Sequence, residues 1–222
     1  MLISALLSGD KITIFASLLA SLFLVFVVVP VHEFAHVWCA TKLGDNTGKM
    51  LGRYTLNPTA HIDPLGAVLI CLIGFGWGKP APINPNNFKN RKWGIALTSF
   101  AGPFANFLLA WLLLFLGSLF ANVGPAAGTY LASYVYTFCY IAAEISLYLM
   151  VFNLIPVPPL DGYGVIEGLL PPSWSEWLNT HQQIISIIFI ALLFTGVLSR
   201  PLSALASLIL NVLGTHCALP FH

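Results

Sequence analysis

Three residues near the start of the chain have the types and the spacing of a metal-dependent hydrolytic motif: His32, Glu33 and His36. In a helix, the four-residue spacing puts His32 and His36 one turn apart on the same face, with Glu33 beside them. Two imidazoles placed in this way can bind one zinc ion, and the carboxylate stays free to act as a base towards water. A polar face between packed helices is the alternative, which the high cost of ionisable groups in an apolar helix disfavours.

A catalytic zinc site needs a third protein ligand, and few residues after the motif could supply it. Asp161 is favoured because three prolines before it should unwind the end of an apolar segment, at about the depth of the histidines. Gly162 would then let the short carboxylate turn inward. Glu144 is the chemical rival, but we expect it nearer the outside, where a hydrogen-bonded buried acid is the simpler interpretation. The other ionisable candidates are His61, Asp63, Glu167, Glu176 and His181.

The composition indicates an integral membrane protein. Of the 222 residues, 58 % are hydrophobic and 8 % are charged, whereas soluble domains average about 25 % charged residues. The length predicts a single membrane domain, residues 1–222, with a core at 12–162 and C-terminal helices at 182–213. The first segment has neither a basic residue before its apolar run nor a small-residue cleavage site after it, so we expect it to be retained.

Charge and cysteine content exclude other classes of protein. The net charge is +1 and the basic residues are scattered, so nucleic acid is not an expected partner, and the lipid bilayer is. The four cysteines are far apart and form no Cys-x-x-Cys pair, which is typical of small core residues. His216, Cys217 and His222 are more typical of a solvated tail than of a metal-gathering end.

Long apolar segments predict the helices that position the motif. Residues 12–43, 94–120 and 130–155 each exceed the about 20 residues that a bilayer requires. Pro30 interrupts the first of them just before His32, where it should bend or locally widen the helix and favour a polar cavity. We therefore predict an all-α polytopic membrane protein with three core transmembrane helices.

The C-terminal part adds one or two helices to this core. Residues 184–198 and 202–213 are apolar, and Arg200 and Pro201 divide them. They predict either one kinked helix or one span and a partial one.

The region between the first two helices is predicted to be re-entrant. Residues 49–62 alternate polar and apolar side chains, which indicates a short β-hairpin. Residues 64–77 are apolar but too few to cross a bilayer. Seven of the nine lysines and arginines lie between residues 42 and 92, and the positive-inside rule places them together in the cytoplasm. The N-terminus is then outside, and the metal motif lies near the cytoplasmic face.

Together these motifs resemble the site-2 protease family of intramembrane zinc metalloproteases, in a minimal form with neither a PDZ-type nor a nucleotide-binding domain. The resemblance rests on residues 32–36 and 153–162, and stretches at 57–66, 76–84 and 102–106 agree with it. It implies one zinc ion per chain. It assigns His32, His36 and Asp161 as zinc ligands, Glu33 as the general base, and Asn153, Asn106 and His61 to the lining of the site.

The resemblance also implies the reaction: hydrolysis of a peptide bond within or near a transmembrane segment of a membrane protein substrate, as in regulated intramembrane proteolysis. Residues 48–84 would form membrane-embedded strands and loops that receive an unwound substrate by edge pairing. The expected location is the cell membrane of a prokaryote.

Two other functions fit parts of the pattern. A metal-ion transporter could use the same histidines and aspartate, but transport calls for ligands along a path, and here they cluster at one depth. An inactive membrane scaffold is disfavoured by Glu33, because a structural metal site needs no free base.

Overall fold

The computed structural model describes residues 7, 11–73, 76–123 and 129–217. The interpretations of the segment before residue 11 and of His222 lie outside these ranges. Within them the chain is helical and no strand is formed, so the all-α prediction is confirmed. Four described helices are long and apolar enough to cross a membrane: Ser17–Leu43, Arg91–Asn122, Tyr130–Asn153 and Ser173–Phe194. The protein is thus an integral membrane protein.

The first membrane-length helix is built in three parts. Helix α1, Lys11–Phe23, continues through a wide π-helical turn, Leu24–Val28, into α2, Val29–Leu43. Pro30 lies in the first turn of α2 and has no N–H to give to the preceding turn, so the hydrogen bonding there is rearranged. The predicted widening of the helix just before the metal motif is confirmed. Gly44 ends α2 with φ 114°, a left-handed conformation that glycine adopts at little cost.

The prediction of a β-hairpin at residues 49–62 is wrong. Two short helices, α3 (Thr47–Met50) and α4 (Pro58–His61), occupy this part of the chain and are joined by bends. Asn57 starts α4, because its side chain accepts a hydrogen bond from the Thr59 N–H at 3.1 Å and a proline follows it. This local capping outweighs the alternation of polar and apolar side chains.

The extended pairing of this region is made with a later segment. Ile62 and Gly78 form an antiparallel bridge, and the Lys79 N–H donates to the His61 carbonyl at 2.7 Å. Between these partners lies α5, Pro64–Ile73. Its ten residues are too few to span a bilayer, in agreement with the sequence.

Helix α5 and the chain that returns from it pack backbone to backbone. A Cβ atom on Gly66 would overlap the carbonyl of Trp77, and one on Gly76 would overlap the carbonyl of Gly66. Asp63 supports the start of α5, since its Oδ1 accepts from the Gly66 N–H at 2.9 Å. Gly66 and Gly76 must therefore be glycines, because a side chain on either would overlap the facing backbone.

The described chain forms two compact units, Met1–Gly102 and Pro103–His222. The core of the second unit is formed by the part of α6 (Arg91–Asn122) that follows Gly102, by α7 (Tyr130–Asn153) and by α10 (Ser199–Cys217). Ser146 links two of these helices by donating to the Asn106 carbonyl at 2.9 Å. The buried side chains of this core belong to Ala110, Leu114, Ala143, Leu147, Met150, Val151, Leu202, Ala206, Leu210 and Leu213.

The C-terminal elements differ from the prediction in two places. Helix α8, Asp161–Leu169, was not expected, and α9, Pro172–Phe194, starts within a polar stretch ten residues before the predicted boundary at 182. Tyr163 joins these helices by donating to Asn179 Oδ1 at 2.6 Å. The division between α9 and α10 falls at Gly196, φ 71°, rather than at Arg200 and Pro201.

Candidate metal centre

Helix α2 presents two buried imidazoles to the same point. His32 is 5 % exposed and His36 is 4 % exposed, and their Nε2 atoms lie 3.1 Å apart. Two zinc–nitrogen bonds of about 2.05 Å at a tetrahedral angle would hold these atoms about 3.3 Å apart. The nitrogen pair therefore fits one zinc ion with only a small adjustment.

His36 is held in the tautomer that a ligand requires. Its Nδ1 lies 2.7 Å from the carbonyl oxygen of Thr98. A carbonyl can only accept, so Nδ1 carries the proton and the neutral ring has an unprotonated Nε2. Metal-binding histidines commonly use the second ring nitrogen in this way, which fixes the ring and increases its basicity.

Gly102 packs closely against both rings and is nearest to His36 Nε2. A Cβ atom at this position would overlap His36 Nε2 and would lie 2.6 Å from His36 Cε1 and 2.7 Å from His32 Cε1, closer than van der Waals contact allows. The imidazoles thus pack against bare backbone of α6, and their positions are restricted on that side.

Glu33 lies on the same helix and is hydrogen-bonded to a distant segment. Its Oε2 accepts from the Ala81 N–H at 2.8 Å. The side chain is partly buried. A carboxylate that is held at one oxygen can act as a general base through the other oxygen.

Asp161 belongs to the second unit and begins α8, after a bent segment that follows α7. Gly162 fixes this corner, because a Cβ atom there would overlap the carbonyls of Leu154 and Ile155. The predicted unwinding before Asp161 is present, and the predicted inward turn of its carboxylate stays a prediction. The carboxylate is partly buried in the first turn of α8.

Asn106 and Asn153 also belong to the second unit. Asn106 is fully buried, and its carbonyl accepts the bond from Ser146. Asn153 is the last residue of α7 and donates from Nδ2 to the Leu149 carbonyl at 3.0 Å, a bond within one helix. That contact is of the structural kind, so the site-lining role of Asn153 stays a prediction, as does that of Asn106.

His61 and Glu144 have different surroundings. His61 is fully buried in the first unit, its Nε2–H donates to the Thr55 carbonyl at 2.7 Å, and its own carbonyl accepts from Lys79. These bonds are typical of a histidine that holds loops in place rather than of a metal ligand. Glu144 is exposed on α7, so the expected burial of this acid is wrong, while its hydrogen bonding and its position nearer the outside stay predictions.

Three partners of the metal motif were missed in the sequence: the Thr98 carbonyl, the Ala81 N–H and the Cα of Gly102. The first two are backbone groups, which no residue type marks. Gly102 belongs to a stretch that the family resemblance included, but its close contact with the two histidine rings was not foreseen.

Comparisons with known proteins identify the family. Residues 20–196 match the model of peptidase family M50, the site-2 protease family. The chain is 40 % identical over 164 residues to YwhC of Bacillus subtilis (strain 168), whose name describes it as a candidate zinc metalloprotease, and the match covers 74 % of this chain and 75 % of YwhC.

Two further relatives are named Rip2 and are described in the same way. The Mycolicibacterium smegmatis protein is 33 % identical over 175 residues, covering 76 % of this chain and 64 % of the relative. The Mycobacterium tuberculosis (strain H37Rv) protein is 30 % identical over 167 residues, covering 73 % and 61 %. The chain thus spans less than two thirds of either Rip2 protein.

No solved structure has significant similarity to the chain. The family assignment therefore depends on the sequence match, and the helical motif with its paired imidazoles agrees with it. The chain belongs to peptidase family M50 and is a zinc-dependent metalloprotease of the site-2 type.

Proposed function

We propose that this metalloprotease hydrolyses a peptide bond within or near a transmembrane segment of another membrane protein. The observation that carries the proposal is the position of His32, Glu33 and His36 inside Ser17–Leu43, a helix apolar and long enough to span a bilayer. A catalytic site on such a helix is accessible to substrates that share the membrane. Membership of a peptidase family favours hydrolysis over metal transport.

In this proposal His32, His36 and Asp161 hold one zinc ion. The paired Nε2 atoms on α2 support the two histidines as ligands. Asp161 is supported by its charge, by the bent segment before it and by the family's motif. Two nitrogens and a carboxylate oxygen are a common donor set for catalytic zinc, which keeps one position open.

Zinc, when bound, lowers the pKa of a water molecule and polarises the scissile carbonyl. Glu33 takes the proton from the attacking water and then gives it to the nitrogen of the leaving amine, so the carboxylate ends the cycle as it began. The Thr98 carbonyl keeps His36 in its ligand tautomer throughout. The substrate helix must unwind first, because its carbonyls are otherwise held in hydrogen bonds.

The remaining predicted residues have supporting roles here. Asn153 and Asn106 line the site in the proposal, and His61 organises the loops that carry the substrate. Residues 48–84 enter the membrane interface as a re-entrant region, with their basic residues in the cytoplasm of a prokaryotic cell. The metal site then lies near the cytoplasmic face, which gives water a short route to it.

The test is cleavage of labelled single-span membrane proteins in liposomes, with zinc content measured in parallel. Glu33→Gln should keep its zinc and lose at least about 100-fold in rate, because a general base contributes this much or more. Glu144→Gln is the matched control, since it removes a second carboxylate from a membrane-length helix, at an exposed position, and should cut normally.

A Glu33→Gln variant that still cuts would remove Glu33 from the reaction. A wild-type protein that binds zinc and cuts soluble peptides but no membrane-embedded substrate would refute the intramembrane proposal.

A further inference from the structure

Glu33 is contacted by a short proline-rich segment from elsewhere in the first unit. Residues 79–84, here termed the strap, have the sequence Lys-Pro-Ala-Pro-Ile-Asn. The N–H of Ala81 donates to Glu33 Oε2 at 2.8 Å, across 48 positions of sequence. Pro80 and Pro82 have no N–H, so Ala81 supplies the single backbone donor at the centre of the strap.

Both ends of the strap are fixed by hydrogen bonds. At one end, the Lys79 N–H donates to the His61 carbonyl at 2.7 Å. At the other end, the Asn84 N–H donates to Asp45 Oδ2 at 2.7 Å. Asp45 is fully buried just beyond the end of α2. The position of Ala81 relative to Glu33 is therefore set from two sides.

The acceptor of the second bond is itself rigidly held. Asp45 Oδ1 accepts from the Thr47 N–H at 3.0 Å, from the Thr47 hydroxyl at 2.5 Å and from Asn87 Nδ2 at 2.8 Å. A carboxylate with four donors has little freedom to rotate. The strap is thus attached to the same helix that carries Glu33.

The chain just before the strap also approaches α2 closely. A Cβ atom on Gly78 would lie 2.8 Å from Val29 Cγ1, 3.0 Å from the His61 carbonyl and 4.0 Å from Glu33 Oε1. Glycine is required here because a larger residue would push the strap away from the helix. The second carboxylate oxygen, Oε1, lies next to this bare Cα.

We propose that the strap is a positioning element for the general base: the Ala81 N–H holds Glu33 Oε2 and leaves Oε1 to take and return the proton. The inference rests on the proposed role of Glu33 in hydrolysis. One fixed oxygen defines the plane of the carboxylate. Because the donor is a backbone group between two prolines, no side-chain motion can withdraw it.

The decisive variant replaces Ala81 by lactic acid through suppressor-tRNA synthesis in a cell-free system with liposomes. This change converts the N–H to an ester oxygen and keeps the methyl group. A hydrogen bond to a charged group of this kind predicts a fall in kcat of about 10- to 100-fold, with little change in KM. Zinc content should be unchanged. The matched control places lactic acid at Ala204, an exposed residue of α10 that has no role in the proposed site, and should cut at nearly the wild-type rate.

An ester variant with wild-type kcat would overturn the proposal, and so would a loss confined to KM. A second measurement needs no cleavage: nuclear magnetic resonance of protein labelled with ¹⁵N-alanine. The Ala81 amide signal, assigned by its absence in Ala81→Gly, should move upfield in Glu33→Gln because a neutral acceptor replaces a carboxylate. An unmoved signal would refute the contact. If wild-type protein cuts nothing, the proposed function fails while the resonance still decides whether the strap holds Glu33.

Discussion

The substitution Gly102→Ala tests the geometry of the two imidazoles most directly. The added methyl carbon would overlap His36 Nε2 and would lie 2.6 Å from His36 Cε1 and 2.7 Å from His32 Cε1. Ordinary carbon contacts are about 3.5 Å or longer, so the His36 ring must retreat by at least about 0.9 Å and the His32 ring by about 0.8 Å. Metal–ligand distances tolerate changes of only about 0.2 Å. We expect zinc affinity to fall by at least about 10-fold, and by about 100-fold if one histidine is lost as a ligand.

Stability alone would give a weaker answer, since two effects oppose each other. Alanine is favoured over glycine within a helix by about 1 kcal/mol, whereas overpacking a close contact costs about 1–3 kcal/mol. The free energy of unfolding should therefore fall by no more than about 2 kcal/mol. Zinc affinity, measured by competition with a chromogenic chelator in detergent, is the sharper measurement.

Gly214→Ala is the matched control for this experiment. Gly214 lies in α10, and a Cβ atom there would meet nothing within 4 Å. This variant should bind zinc as the wild type does. A Gly102→Ala variant that bound zinc with wild-type affinity would refute the close contact between Gly102 and the histidine rings.

Three further predictions concern Asp45, Gly162 and the zinc ion. Burial opposes the ionisation of Asp45, but the hydrogen bonds from Thr47, Asn84 and Asn87 prevail and hold its pKa below the usual value. Asp45→Asn should therefore lower the free energy of unfolding by about 2 kcal/mol at pH 7. Chemical denaturation should show this difference shrinking as the pH falls below about 4 towards the lowered pKa. Gly162→Ala should abolish cleavage and lower zinc content, because its methyl would displace Asp161 from the corner after α7; normal zinc binding would contradict this. Removal of zinc by a chelator should stop cleavage, and added zinc should restore it, as followed by gel assay; activity that survives complete zinc removal would contradict the metalloprotease assignment.

The sequence predicted features that depend on neighbouring residues. The paired histidines follow from four-residue spacing, and the wide turn follows from a proline within an apolar helix. The bend before Asp161 follows from the prolines that precede it. Each of these signals acts within about ten residues, so the pattern and the structure that it produces lie in the same short stretch.

Long-range backbone contacts could not be predicted in this way. The bond from Ala81 to Glu33 joins residues far apart in sequence, and an N–H group has no signature of its own. The hairpin prediction failed for a related reason: side-chain alternation was weighed without the capping by Asn57, which starts a helix. Helix α8 was missed because its glycines reduce intrinsic helix propensity, although one of them, Gly162, packs closely against the carbonyls of Leu154 and Ile155.

The π-helical turn at Leu24–Val28 has a consequence for how the first helix meets its surroundings. A turn that holds one additional residue rotates everything before it by about 100° relative to everything after it. The half of the helix before this turn and the half that carries the histidines therefore direct their side chains independently, although they form one continuous helix. Deleting a single residue from this turn would shorten the helix by only about 1.5 Å. It would nevertheless rotate one half of the helix by about 100° about its axis relative to the other half, so that the buried faces of the two halves would no longer have their present relative directions.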